Sequence, residues 1–120
     1  MKILVVEDEP LIRKMMELKL NKEGYEIISS EDGKDALLKI ESENPDMIIT
    51  DIMMPYVSGL EIVGKVRQNK ERNIPIIVVS TMGQEATVEE AFKLGADDYL
   101  TKPFSLVELA MRIKRFAKAS

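Results

Sequence analysis

Ile76-Ile77-Val78-Val79 is an unbroken run of four β-branched residues, opened by Pro75 and closed by Ser80-Thr81. A run that short, with no polar alternation, reads as a strand covered on both faces, which is the pattern of a parallel sheet sandwiched between helices. Lys2 to Val6 and Met47 to Thr50 have the same character, and Tyr25 to Ser29 and Tyr99 to Thr101 are shorter candidates. Helical patterns separate them. Glu9-Pro10 opens the first, with Pro at a tolerated first-turn position, and Leu11, Met15 and Leu18 keep helical spacing until Gly24 stops it. The second runs from Lys34 to Glu43 with Leu37 and Ile40 inward, before Asn44-Pro45 breaks it. The third, from about Leu60 to Asn69, offers Ile62, Val63 and Val66, and the fourth, from Glu85 to Leu94, offers Val88, Ala91 and Phe92. The last carries Leu106, Leu109, Ile113 and Phe116 behind a capping box formed by Ser105 and Glu108.

Strand and helix therefore alternate five times with short connections. This predicts right-handed βαβ crossovers in one α/β domain over residues 1–120, a doubly wound (βα)5 arrangement. In such a sheet, ligands bind beyond the carboxyl ends of the strands, where the strand order reverses. The sequence places Glu7 and Asp8 after the first strand, Asp51 after the third, Ser80 and Thr81 after the fourth and Lys102 after the fifth. With strand order 2-1-3-4-5 these four strands lie side by side, and their polar ends line one crevice. Polar residues at one strand end are ordinary, since surface loops begin there. The set argues for more, because the second strand, whose end the crevice does not need, finishes in Ser29-Ser30-Glu31.

Composition narrows the chemistry. The chain has no Cys and no His, so thiolate nucleophiles, zinc-thiolate sites and imidazole bases are excluded, leaving Ser, Thr, Lys or a carboxylate for covalent work. A net charge of -4 argues against direct nucleic-acid binding, and Arg112, Lys114, Arg115 and Lys118 read as a solvated helix face. No apolar run approaches a membrane span and no signal-peptide pattern precedes the first strand, so the cytoplasm is the expected compartment. Carboxylates gathered at one edge raise one another's pKa unless a cation lies between them. Clustered carboxylate oxygens suit Mg²⁺, while Lys102 and the Ser80 hydroxyl suit phosphoryl oxygens. Asp51 then fits as a carboxylate nucleophile that accepts a phosphoryl group.

Four segments, taken in order, resemble the receiver domain of two-component response regulators. They are Val5-Val6-Glu7-Asp8-Glu9; Asp51-Ile52-Met53-Met54-Pro55 with Gly59; Pro75-Ile76-Ile77-Val78-Val79-Ser80; and Gly95 to Phe104, which contains Asp97-Asp98-Tyr99-Leu100-Thr101-Lys102-Pro103. The resemblance implies a flavodoxin-like fold of the chemotaxis-regulator kind and a phosphoacceptor switch. In it Asp51 accepts a phosphoryl group from a sensor histidine kinase or phosphotransfer protein and controls an output domain or downstream partner. It implies that Mg²⁺ is held by Asp8, Asp51 and the backbone carbonyl of Met53, with Glu7 acting through water. It further implies that Lys102, its bond to Pro103 being cis, and Ser80 contact the phosphoryl group and that Tyr99 swings inward as Ser80 moves.

Thr81 stands where the family usually has Ala and offers a second hydroxyl. The readout surface implied is the fourth helix, fifth strand and fifth helix, which also implies a phosphorylation-dependent homodimer in which Asp98, Glu108 and Arg112 take part; Val88 and Ala119 stand where basic partners are usual. The first helix around Ile12, Met15 and Met16 is the expected kinase-docking surface. Met53 and Met82, each two positions past a site residue, are expected to slow loss of the phosphoryl group. The competing reading is a metal-dependent phosphohydrolase with a transient aspartyl-phosphate, but Met53 stands where such enzymes commonly place a second acid.

Overall fold

The computed structural model describes residues 1–81 and 83–117. Five strands, β1 (Lys2–Val6), β2 (Glu26–Ser30), β3 (Met47–Asp51), β4 (Ile76–Thr81) and β5 (Asp98–Lys102), alternate with five helices, α1 (Pro10–Lys22), α2 (Gly33–Glu43), α3 (Gly59–Gln68), α4 (Glu85–Leu94) and α5 (Leu106–Ala117). The strands pair in parallel throughout, in the order β2-β1-β3-β4-β5. β3 is central and β5 is an edge.

The sheet is buried on both sides, and the strands show why their apolar runs are unbroken. Leu4, Val6, Ile48, Ile76 and Val78 face one core with Ala36, Ile40, Ile62, Val63, Val66 and Ala91 of α2, α3 and α4. Ile3, Val5, Met47, Ile49, Ile77, Val79 and Leu100 face the other, with Met16 and Leu20 of α1 and Leu109 and Ile113 of α5. Successive strand residues serve opposite layers, so every position must be apolar. Each such Ile or Leu taken from water contributes about 1.5–3 kcal/mol.

Two expectations change. In α1 the inward stripe is Met16 and Leu20, whereas Leu11 is 73% exposed and Met15 and Leu18 also face outward. The helix carries two apolar stripes, and spacing alone does not say which one packs. In the basic group on α5, Arg112 donates to Asp98 Oδ1 at 2.7 Å and Arg115 to Asp98 Oδ2 at 3.5 Å, so this face holds a buried carboxylate and is not merely solvated. Lys118 lies outside the described residues. At the start of α5, Glu108 N–H donates to Ser105 Oγ, as a cap requires. A reciprocal capping box lies on α3, where Ser58 and Glu61 satisfy each other's backbone N–H groups.

Candidate functional site

Asp51 is the last residue of β3, and its placement is built from behind. The N–H of Ile52 continues the ladder to Val79 O, and Thr50 Oγ1 donates to Asp51 O. Gly59 packs so closely that a Cβ there would lie 2.1 Å from Asp51 O and 2.8 Å from Ile52 Cα. Only a residue without a side chain lets α3 start this near the end of β3.

Around Asp51 the strand ends converge. Carboxylate oxygens of Glu7, Asp8 and Asp51 all lie within 4.8 Å of one another. Lys102 Nζ sits among them, 2.9 Å from Glu7 Oε1 and 3.2 Å from Asp51 Oδ1. Glu9 also reaches Lys102, at 3.5 Å, and its N–H donates to Glu7 Oε2. Glu7 and Asp51 are 1% and 5% exposed, so little water screens them. Burial first, and the adjacent Glu7 second, push the Asp51 carboxyl up to about 8, against the pull of Lys102. Burial works against the charge of Lys102, but Glu7 and Asp51 outweigh it and raise its pKa.

One ammonium facing three carboxylates leaves an excess of negative charge on oxygen ligands alone, the donor set a hard divalent cation takes. A cavity of about 340 Å³ opens in front of Asp51, lined also by Asp8, Met53, Ser80, Thr81 and Lys102. The Lys102–Pro103 bond is cis. Seven of the expected site residues are thus brought to one place. Tyr99 stands apart, 41% exposed and edge-on to Phe92 at 6.0 Å, bordering a separate cleft between α4 and β5 that Ser80 and Thr81 also line.

Glu9 and Gln84 join this site, whereas Arg67 braces the opposite end of β4. Glu9 precedes α1, and its position two residues past Glu7 is the sequence signal that it too reaches Lys102. Arg67 of α3 donates Nε to Gly95 O at 3.0 Å and Nη2 to Asp97 Oδ2 at 2.8 Å, and Asp97 also accepts from Ile76 N–H. Gln84 accepts the N–H of Thr81 through its side chain at 2.8 Å. Neither of these last two has a local sequence signal.

Comparison with known proteins identifies the family. The family model for the response regulator receiver domain matches residues 3–114. The chain belongs to this family. As a receiver domain it is similar to the alkaline phosphatase synthesis transcriptional regulatory protein PhoP of Bacillus subtilis, at 40% identity over 99% of this chain and 49% of that protein. Response regulator RR06 of Streptococcus pneumoniae is 43% identical over 95% of this chain and 52% of its own length. The chain spans about half the length of the curated relatives it matches.

Among solved structures, the chemotaxis protein CheY4 of Vibrio cholerae superposes with a TM-score of 0.89 at 34% identity, covering 96% of this chain and 97% of that one. The receiver domain of Francisella response regulator 1452 gives 0.87 at 36% identity, covering 96% and 94%. The receiver domain is a phosphoacceptor signalling module of two-component systems, and the phosphohydrolase reading finds no support in these relatives. Among the described residues, no helix is long and apolar enough to cross a membrane.

Proposed function

We propose that Asp51 is the phosphoacceptor of this receiver domain, and that residues 1–120 form that single domain. The observation that carries the reading is the seat of Asp51 at the end of the central strand, buried and held 3.2 Å from the Lys102 ammonium beside Glu7. An Asp51 oxygen forms a bond to phosphorus as the donor's phosphorus–nitrogen bond breaks, leaving an aspartyl-phosphate and a free histidine on a kinase or phosphotransfer protein. Lys102 takes up phosphoryl oxygens as a point charge, and Ser80 and Thr81 supply hydroxyl donors. Asp8, Asp51 and the Met53 carbonyl would hold Mg²⁺, with Glu7 acting through water. When bound, the ion neutralises the carboxylates and the incoming phosphoryl oxygens. Mass measurement after exposure to a small phosphodonor, with Asp51→Asn as control, tests the acceptor assignment.

The new group adds about -1.5 to -2 charge. It draws Lys102 from Glu7 and Asp51 and offers Ser80 an acceptor, and the cleft beside Thr101 gives Tyr99 a place to turn into. The altered α4-β5-α5 face then controls an output domain or downstream partner in the cytoplasm. The domain acts as a switch with slow self-dephosphorylation and not as a turnover enzyme; its own net charge of -4 gives no purchase on nucleic acid.

That face also supports a phosphorylation-dependent homodimer. In the resting protein Asp98, Glu108 and Arg112 satisfy one another within the chain, so dimer formation has to exchange those pairs. Light scattering should give a monomer alone and a dimer with a phosphoryl mimic; an unchanged mass rejects the homodimer. Ala119, one departure from the family's charged set, lies outside the described residues.

Met53 is exposed and lines the Asp51 cavity, where its apolar side chain obstructs an attacking water. Met53→Asn should shorten the phosphoryl lifetime several-fold in a timed dephosphorylation assay, and an equal lifetime would mean that Met53 only packs against the loop. Met82, the companion residue in this expectation, lies outside the described residues.

A further inference from the structure

Gln84 immediately precedes α4, where a side chain ordinarily turns forward to cap the first free N–H groups of the helix. It makes no such cap. Its side chain turns back, and Oε1 accepts the backbone N–H of Thr81 at 2.8 Å across a turn in which Gly83 adopts φ +89°. Because an N–H can meet only an acceptor, the bond also fixes which way the amide faces. Thr81 and Gln84 both line the cavity in front of Asp51.

A phosphoryl group on Asp51 brings three acceptor oxygens into that cavity. Thr81, on the wall of the cavity, has its N–H already committed. We propose that Gln84 is a positioning residue for phosphorylation: its side-chain carbonyl holds the Thr81 N–H of the resting protein in place of a phosphoryl oxygen and must leave for the modified site to close. This rests on Asp51 being the acceptor. The consequence reaches α4. Its far end is pinned where Arg67 binds Gly95 O and Asp97, and its buried side chain Ala91 lies in that half. Its near end is tethered through Gln84 by a neutral hydrogen bond, which is the weaker attachment. Exchange of partners at Thr81 therefore frees the end of α4 nearest the phosphoryl group and leaves the other end fixed.

The test compares the full chain with Gln84→Met, which keeps the length and removes the acceptor, and Gln84→Glu, which keeps an acceptor oxygen and adds negative charge. Uptake from acetyl phosphate with Mg²⁺ is timed by intact mass, and amide hydrogen exchange is followed in the unmodified proteins. Gln84→Met should take up the phosphoryl group about threefold to tenfold faster, the range a lost competing hydrogen bond allows. Gln84→Glu should be slower than wild type. Exchange should rise in Gln84→Met at Thr81 and residues 85–88 but not at 91–95. If Gln84→Met exchanges faster at Thr81 yet phosphorylates at the wild-type rate, the bond merely closes a turn and the proposal falls. If wild type takes up no phosphoryl group at all, the reading of Asp51 fails instead.

Discussion

Asp51→Asn should take up no phosphoryl group under conditions in which the wild-type chain gains one. The substitution changes little in volume and keeps an oxygen where Lys102 Nζ now sits 3.2 Å away. What it removes is the nucleophile, because an amide oxygen does not form an acyl phosphate under these conditions. The alternative acceptors are close. Ser80 and Thr81 carry hydroxyls on the same cavity wall. Hydroxylamine separates the cases, since it releases an acyl phosphate and leaves a phosphate ester in place. Equal mass gain in both proteins, or a hydroxylamine-resistant product, would move the acceptor away from Asp51.

The same substitution should stabilise the domain when divalent ions are chelated, and increasingly so as pH rises. The Asp51 carboxyl is pushed up to about 8 in the fold by burial and by Glu7, against 3.8 for an ordinary aspartate. Between those values the folded chain keeps a proton that the unfolded chain has lost. Stability associated with Asp51 is therefore fully present at the acid end and is lost as pH climbs through about 8, with a limiting slope of roughly 1.4 kcal/mol per pH unit.

Asparagine has no such titration. Wild type and Asp51→Asn should thus melt most nearly together at the acid end, near pH 4, and the gap should widen by about 4 kcal/mol between about pH 5 and pH 8, roughly 15 °C for a domain of this size. Millimolar Mg²⁺ should close the gap by favouring ionised Asp51, raising the wild-type melting temperature more than the variant's. Parallel melting curves across this pH range would show that Lys102 already balances the buried pair. Glu7→Gln provides the complementary case, because removing the neighbouring charge should also flatten the wild-type pH dependence.

Much of the architecture and of the candidate site is legible in the sequence, for a physical reason. Strands buried on both faces leave an unbroken apolar mark, as in Ile76 to Val79, and parallel topology then sends every strand end to the same edge. Glu7, Asp8, Asp51, Ser80 and Lys102 could be gathered from that rule alone. Less readable were choices among equivalent local patterns. Leu11, Met15 and Leu18 have helical spacing, but so do Ile12, Met16 and Leu20, and packing against α5 and the sheet selects the second set. Least readable were contacts between residues far apart in sequence. Arg67 meets Asp97 across thirty positions, and no periodicity in α3 marks that residue as different from its exposed neighbours. Gln84 is a separate case, a nearby contact hidden because a residue before a helix is expected to look forward.

The position of β3 in the sheet sets where rigidity and responsiveness lie. Asp51 belongs to a strand hydrogen-bonded on both sides, whereas Tyr99 belongs to β5, which has a neighbour on one side only. On the proposed assignment of Asp51 as acceptor, the added charge would enter on a strand held by hydrogen bonds along both of its edges. Its effect would then pass across β4 towards β5, an edge strand tied along one flank, with Tyr99 against α4 and Leu100 against α5. In that proposal the strand order itself divides the work, with a fixed input at the centre of the sheet and a margin free on one flank at a surface another molecule can touch.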